Sequence, residues 1–232
     1  MPKGNYQIPY PDNEPVLGYA PGSAELESLL ATYKEMYNQD PIDMPMYIGS
    51  EQVRTSNKIP INPPHEHSKV LGYFNYGDAS DVTAAIDAAL DAKAAWSSLP
   101  WEHRASIFLK AAELLAGPFR DRMNAATMLA QSKNVMQAEI DAACELIDFF
   151  RFNAFLMQEM YSNQPDSQPG IWNRMEYRPL EGFVFAISPF NFTSIAANLP
   201  ASAAMMGNTV VWKPSETQMY SAQVIMDLFK AA

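Results

Sequence analysis

The chain has 232 residues, 48% hydrophobic and 18% charged, enough to bury one large core or two small ones. A net charge of -10 offers no dominant basic patch, which argues against nucleic acid and an anionic membrane surface as partners, and no run approaches the ~20 apolar residues of a membrane span. One cysteine rules out an internal disulfide, and the opening Met1-Pro-Lys-Gly-Asn-Tyr has neither a signal-peptide core nor an Arg-rich transit pattern. The expected setting is cytoplasmic, or the mitochondrial matrix in a eukaryote.

Residues 1 to about 22 hold several prolines and glycines without periodicity and read as an extended arm. Ser23 can cap a helix from Ala24 to about Asn38, with Glu27 near the capping-box position and Leu26, Leu29, Leu30 and Tyr33 as its apolar stripe. From Met44 to about Tyr76, apolar and polar residues alternate between turn residues, which predicts short antiparallel strands at Met46 to Ile48, Lys58 to Ile61 and Lys69 to Phe74. At Asp78 the period changes. Ser80 is a candidate N-cap, and Val82, Ala85, Ile86, Ala89, Leu90 and Trp96 follow at helical spacing up to Pro100. A second helix covers Trp101 to Leu115, with Ile107, Phe108, Ala111, Ala112, Leu114 and Leu115 inward, and a third covers Phe119 to Gln131. Asn134 caps the longest, Val135 to about Tyr161, whose apolar positions include Ile140, Ala143, Leu146, Ile147, Phe150 and Phe155. Four successive helices suit a layer covering a sheet. After a polar loop, Ile171 to Arg178 reads as a strand with Arg174, Glu176 and Arg178 on a solvated or intersubunit face.

The rest of the chain is organised around a βαβ pattern. Phe183 to Ile187 is an unbroken apolar run, expected to be covered on both faces, and Ser188-Pro189 stops it. Ser194 to Met206 is a helix ended by Gly207, Thr209 to Trp212 is a second strand, and Thr217 opens a last helix with Met219, Ala222, Ile225, Met226 and Phe229 on one face. Ligands bind at the carboxyl ends of such parallel strands, where Ser188, Asn191, Lys213 and Glu216 fall. On local grounds Asn191 is either a turn asparagine or an amide donor for an oxyanion. Lys213 and Glu216 are either strand-end charges or a ribose clamp. His65-Glu66-His67 lacks the further ligands a metal site needs, so no metal is expected, and Cys144 reads as a small buried helix residue. No G-x-G or P-loop occurs. Two parallel strands leave a sheet incomplete, so the chain is expected to be the front part of a longer protein.

Ser188-Pro-Phe-Asn-Phe-Thr followed by Gly207-Asn-Thr-Val-Val-Trp-Lys-Pro-Ser-Glu resembles the signature of the aldehyde dehydrogenase superfamily. Gln137-Ala-Glu-Ile-Asp-Ala-Ala-Cys-Glu-Leu-Ile-Asp-Phe-Phe-Arg-Phe-Asn153, Asn13-Glu-Pro-Val-Leu17 and Ile107-Phe-Leu-Lys-Ala-Ala112 are similar to its Δ1-pyrroline-5-carboxylate (glutamate-γ-semialdehyde) dehydrogenase subfamily. The likeness runs from about residue 12 to the end. It implies an α/β fold with a Rossmann-like parallel sheet, incomplete in this chain, a helical layer and an N-terminal β arm. The expected divisions are 1–76 for arm, first helix and short strands, 77–161 for the helical part of an NAD-binding domain, 162–180 for an oligomerisation strand and 181–232 for the first βαβα of the sheet.

The resemblance further implies that Asn191 stabilises a tetrahedral oxyanion, and that Ser188, Phe190, Lys213, Ser215 and Glu216 contact NAD. Phe192 would pack on the substrate's aliphatic part and Glu145 would face its amino end. The implied reaction is NAD-dependent oxidation of L-glutamate γ-semialdehyde to L-glutamate, in which a thiolate attacks the aldehyde and a glutamate activates the hydrolytic water. The family's nucleophile and general base match no position here, so the 232 residues alone are expected to be inactive. A homo-oligomer, dimer or higher, is expected. The alternatives are a relative acting on another semialdehyde, or a non-catalytic nucleotide-binding chain.

Overall fold

In the computed structural model, which describes residues 4–232, side-chain acceptors close the starts of three helices, α1, α2 and α5. The first three residues of the expected arm lie outside the described residues. Ser23 Oγ accepts from Leu26 N at 3.3 Å ahead of α1 (Ala24–Asn38), but Glu27 completes no capping box because it sits one residue past the N3 position. At α2 (Ala79–Ser98) the cap is Asp78 rather than Ser80. Its carboxylate reaches the amides of Ser80 and Asp81, and Asp81 returns a bond to the Asp78 N–H. α3 (Trp101–Ala116) and α4 (Arg120–Gln131) follow. Asn134 and Gln137 form a reciprocal box at α5 (Val135–Ala138), as expected at the start of the long helix.

That helix is not one regular α-helix. Glu139–Glu145 is a π stretch, and α6 (Leu146–Ser162) resumes the regular pitch. Within the π stretch Glu139 and Asp141 are buried, whereas Ile140, expected inward, is 45% exposed. Both carboxylates have partners inside the protein. Leaving a buried partner uncompensated costs more than the about 2 kcal/mol of one exposed isoleucine. Two other expected stripes shift as well. Leu30 points out while Met36 takes its place on α1, and α2 buries only Ala89, with Val82 and Leu90 exposed.

The N-terminal strands are not all antiparallel. β2 (Met46–Ile48) pairs antiparallel with β3 (Glu51–Val53), and β4 (Lys58–Ile61) with β5 (Gly72–Asn75). However, β1 (Ile42–Met44) runs parallel to β5, with Ile42 opposite Gly72. The crossing is so close that a Cβ on Gly72 would meet the Ile42 carbonyl oxygen at 2.6 Å. Ile171 to Arg178 is no strand here. A single bridge joins Gln168 to Ile171, and Arg174 pairs at 2.6 Å with Glu176 of the same exposed segment. Its backbone has no neighbouring strand among the described residues, and a strand exists only through such pairing.

The helical layer covers β6 (Val184–Ile187), α7 (Thr193–Met205), β7 (Val210–Lys213) and α8 (Met219–Ala231). Phe108 of α3, Phe150 of α6 and Phe229 of α8 meet at ring centroid distances of 6.0, 6.3 and 5.9 Å in the core. Beside them the arm, which has no helix or strand among its described residues, is tied down by charge. Glu139, fully buried, accepts from Leu17 N (2.9 Å), Tyr19 Oη (2.8 Å), Asn124 Nδ2 (2.8 Å) and the Arg120 guanidinium. Arg120 also pairs with Glu14 at 2.6 Å, as does Arg151. Cys144 lies against the same pair, 3.5 Å from Glu139 Oε1.

Burial alone would push the Glu139 carboxyl up, but Arg120 and the Leu17, Tyr19 and Asn124 donors outweigh it and hold the group below the usual range. A depressed carboxyl contributes stability that is present above its unfolded value, about pH 4.3, and is lost as pH falls through the folded value. Glu139→Gln should therefore cost about 2 kcal/mol at pH 7 in urea unfolding, because it removes one of the two carboxylates that serve the buried Arg120 guanidinium and leaves only Glu14, and should flatten the acid limb of the stability curve. Burial first, and then the Glu139 charge, push the Cys144 thiol up to about 12. At pH 8 iodoacetamide should leave native Cys144 unmodified while alkylating the urea-unfolded chain; rapid native labelling would contradict this placement.

Candidate functional site

β6 and β7 lie side by side in parallel, with Val184 opposite Val210 and Ile187 opposite Lys213, so their carboxyl ends open on the same edge. α7 connects them and ends at Gly207, whose φ of +89° suits only glycine without strain. β6 is not covered on both faces. Ala186 is buried, while Phe185 and Ile187 are 58% and 60% exposed, because nothing among the described residues packs on their side.

At the shared edge, Ser188 is buried and ties the two strands together. Its N–H donates to the Lys213 carbonyl at 3.3 Å, and its Oγ accepts from Trp212 Nε1 at 3.0 Å. The Ser188 hydroxyl proton remains free to donate. Phe190 is 66% exposed and Asn191 is exposed beside it. No hydrogen bond engages the Asn191 amide among the described residues, so it forms no Asx turn. Across the edge, Ser215 directly precedes a 3₁₀ turn (Glu216–Gln218) that leads into α8, with its Oγ 3.3 Å from Thr217 Oγ1 and no bond to the turn's amides. Lys213 and Glu216 are exposed and carry no ion pair among the described residues, leaving both charges available to a polar ligand.

The start of α7 holds the loop from 188 to 192 in place. Its N-cap is Phe192, which has no acceptor to offer the first amides of the helix. The acceptor comes instead from the π stretch. Asp141 accepts from Thr193 N (3.2 Å), Ser194 N (3.1 Å) and Ser194 Oγ (2.9 Å). Lys133 completes this cluster, 2.5 Å from Asp141 and with its ammonium 4.2 Å above the Phe192 ring. Thr193 Oγ1 is fixed in turn by Thr127 (2.8 Å) and Gln131 (2.7 Å).

Of the residues singled out from sequence, the fold gathers Ser188, Phe190, Asn191 and Phe192 in one loop at the α7 start and Lys213, Ser215 and Glu216 at the end of β7. Glu145 joins the first group: its Oε2 lies 3.0 Å from Ser194 Oγ and shares that hydroxyl's one proton with Asp141. Lys133, Asp141 and Thr193 were missed. The available signal was a phenylalanine where a helix cap belongs, together with two carboxylates four residues apart, at Asp141 and Glu145, on another helix. The His65-Glu66-His67 loop is occupied otherwise: His65 Nδ1 lies 2.7 Å from Ser132 Oγ, and Glu66 accepts from the Tyr37 hydroxyl at 2.9 Å. The described residues hold no group of three or more metal-ligating side chains.

Residues 52–232 match the model of the aldehyde dehydrogenase family. The chain is 50% identical over 228 residues to delta-1-pyrroline-5-carboxylate dehydrogenase of Agaricus bisporus, covering 98% of this chain and 42% of the relative. The human enzyme of that name, designated mitochondrial, is 46% identical over 220 residues, covering 95% of this chain and 39% of its own length. Among solved structures, the Mycobacterium tuberculosis Delta-pyrroline-5-carboxylate dehydrogenase bound with NAD superposes with a TM-score of 0.96 at 50% identity, over 98% of this chain and 43% of that one. The chain thus spans about two-fifths of the length of the relatives it matches. Its mixed α/β architecture is that of these enzymes, and the chain belongs to the aldehyde dehydrogenase family.

Proposed function

We propose that the protein carrying this chain oxidises L-glutamate γ-semialdehyde, the open form of Δ1-pyrroline-5-carboxylate, to L-glutamate with NAD. The observation that carries this reading is the exposed Asn191 amide, held without a competing hydrogen bond at the start of α7, beside the open ends of β6 and β7. The names of relatives 50% and 46% identical to the chain support the choice of substrate.

In this reading β6, α7 and β7 open a larger Rossmann-like sheet. The donor set fits the adenosine side of NAD: Glu216 accepts from a ribose hydroxyl, Lys213 and the free Ser188 proton donate to ribose or phosphate oxygens, and Ser215 and Phe190 line the same edge. When bound, NAD supplies the hydride acceptor. The nucleophilic thiolate is proposed to lie outside this chain, since Cys144 is buried with its thiol pushed up to about 12. Attack on the aldehyde carbon turns the carbonyl oxygen into an oxyanion, to which the Asn191 side-chain N–H donates; one such donor is worth about 3–4 kcal/mol. Phe192 packs on the substrate's methylene groups. Glu145, which shares the one Ser194 proton with Asp141, has acceptor capacity left for the substrate's amino end.

Among the described residues no helix is long and apolar enough to cross a membrane. The mitochondrial designations of the human and Mus musculus relatives support a matrix location for a eukaryotic source. The exposed 171–180 segment, with Trp172 86% exposed, supports a homo-oligomer in which a second copy covers it.

In the full-length protein, Asn191→Ala should lower kcat by about 10²–10³-fold and leave the NAD dissociation constant within twofold, as read by steady-state kinetics and fluorescence titration. A variant with wild-type kcat would remove Asn191 from the chemistry. With Glu216 accepting from the adenosine ribose, as proposed, a 2′-phosphate would bring negative charge against it, so Glu216→Gln should narrow the preference for NAD over NADP at least fivefold. An unchanged ratio of kcat/KM for the two cofactors would end its role as discriminator.

A further inference from the structure

We infer that Asp141, together with Lys133, is a positioning residue that sets the catalytic loop carrying Asn191 and Phe192. This inference rests on the oxyanion role proposed for Asn191 and extends it to residues that touch neither substrate nor cofactor.

A helix beginning after phenylalanine leaves its first amides without a local acceptor, and a buried N–H left unpaired is costly. Phe192 is 37% exposed, so the side chain at the cap position is turned outward rather than used to close the helix end. Asp141, 2% exposed and on the neighbouring π stretch, takes over the closing role through two backbone amides and one hydroxyl. Those amides belong to Thr193 and Ser194, the second and third residues after Asn191, so the direction in which the loop leaves the helix is fixed by this carboxylate.

Lys133 adds a second point of attachment. Its ammonium sits between the Asp141 carboxylate and the Phe192 ring, which links the capped amides to the aromatic side chain on the loop itself. One ion pair therefore holds both the backbone behind Asn191 and the ring beside it. The π turn matters because it belongs to the helix segment that carries Asp141 and Glu145 to the same serine hydroxyl. Rotation of that segment would withdraw both carboxylates from the one Ser194 proton they share.

The test uses Asp141→Asn, which keeps the shape and one acceptor but loses the charge and the Lys133 pair. Asp141→Glu serves as the conservative variant and Asn191→Ala as the reference, all in the full-length protein. Asp141→Asn should lower kcat at least tenfold, leave NAD binding within twofold, and raise amide hydrogen exchange in peptides spanning 188–196 while leaving α4 and α8 unchanged. Asp141→Glu should recover part of the loss. In the double variant with Asn191→Ala the kcat should match that of Asn191→Ala alone, because a residue acting through Asn191 adds nothing once Asn191 is gone. Multiplicative losses, or unchanged exchange at 188–196, would overturn the inference. Wild-type kcat in Asn191→Ala would instead overturn the oxyanion reading, and the exchange measurement would then judge the loop attachment separately.

Discussion

α7 starts directly after a phenylalanine with Thr193 and Ser194 fully buried, so its first amides depend on a distant acceptor, and the bonds they make to Asp141 tie down the loop at the polar edge of the βαβ unit. The strands alone would place Ser188 and Lys213 together, since Ile187 and Lys213 are in register. They would not fix the five residues between β6 and α7. That loop is short, contains Pro189 and two outward phenylalanines, and has little apolar surface of its own to bury. Its geometry is set at its two ends: by the Ser188 bonds to Trp212 and Lys213, and by the Asp141 bonds to Thr193 and Ser194.

Asp141 is held in turn by a chain of interactions that begins far away in sequence. The π stretch starts at Glu139, whose carboxylate is saturated by Arg120, Asn124, Tyr19 and the Leu17 amide. The N-terminal arm is therefore part of what holds this helix, although its described residues form no helix or strand. A buried pair of this kind is weak evidence for stability, but removing one partner leaves the other's charge under-compensated. Here the arrangement held by the pair is the rotation of the segment that carries Asp141 and Glu145. The location of Cys144 in the same cluster explains its burial without any redox or nucleophilic role.

Much of this was legible in the sequence where the governing forces are local. Ser23 and Asn134 mark their helices because a cap acts over three residues, and Gly207 marks the end of α7 because only glycine takes that backbone conformation freely. The parallel strands were readable from two apolar runs. What escaped depends on distant partners. Asp141 caps amides 52 and 53 residues away, β1 finds a parallel partner in β5 rather than a hairpin neighbour, and Ile140 is displaced outward by carboxylates whose partners lie on other elements. Asn191 shows the limit most clearly. Local rules left it between turn residue and donor, the family resemblance supplied a role, and the structure adds that its amide is not engaged in a turn.

The central proposal is that, in the protein carrying this chain, this edge serves an NAD-dependent oxidation of glutamate γ-semialdehyde, a five-carbon aldehyde that ends in an amino acid head group. Comparing kcat/KM of the full-length protein with NAD on glutamate γ-semialdehyde and on unbranched aldehydes lacking that head group tests it most directly. The account predicts that removing the head group costs at least a hundredfold. Equal efficiency on the simple aldehydes, or no turnover of glutamate γ-semialdehyde, would contradict it.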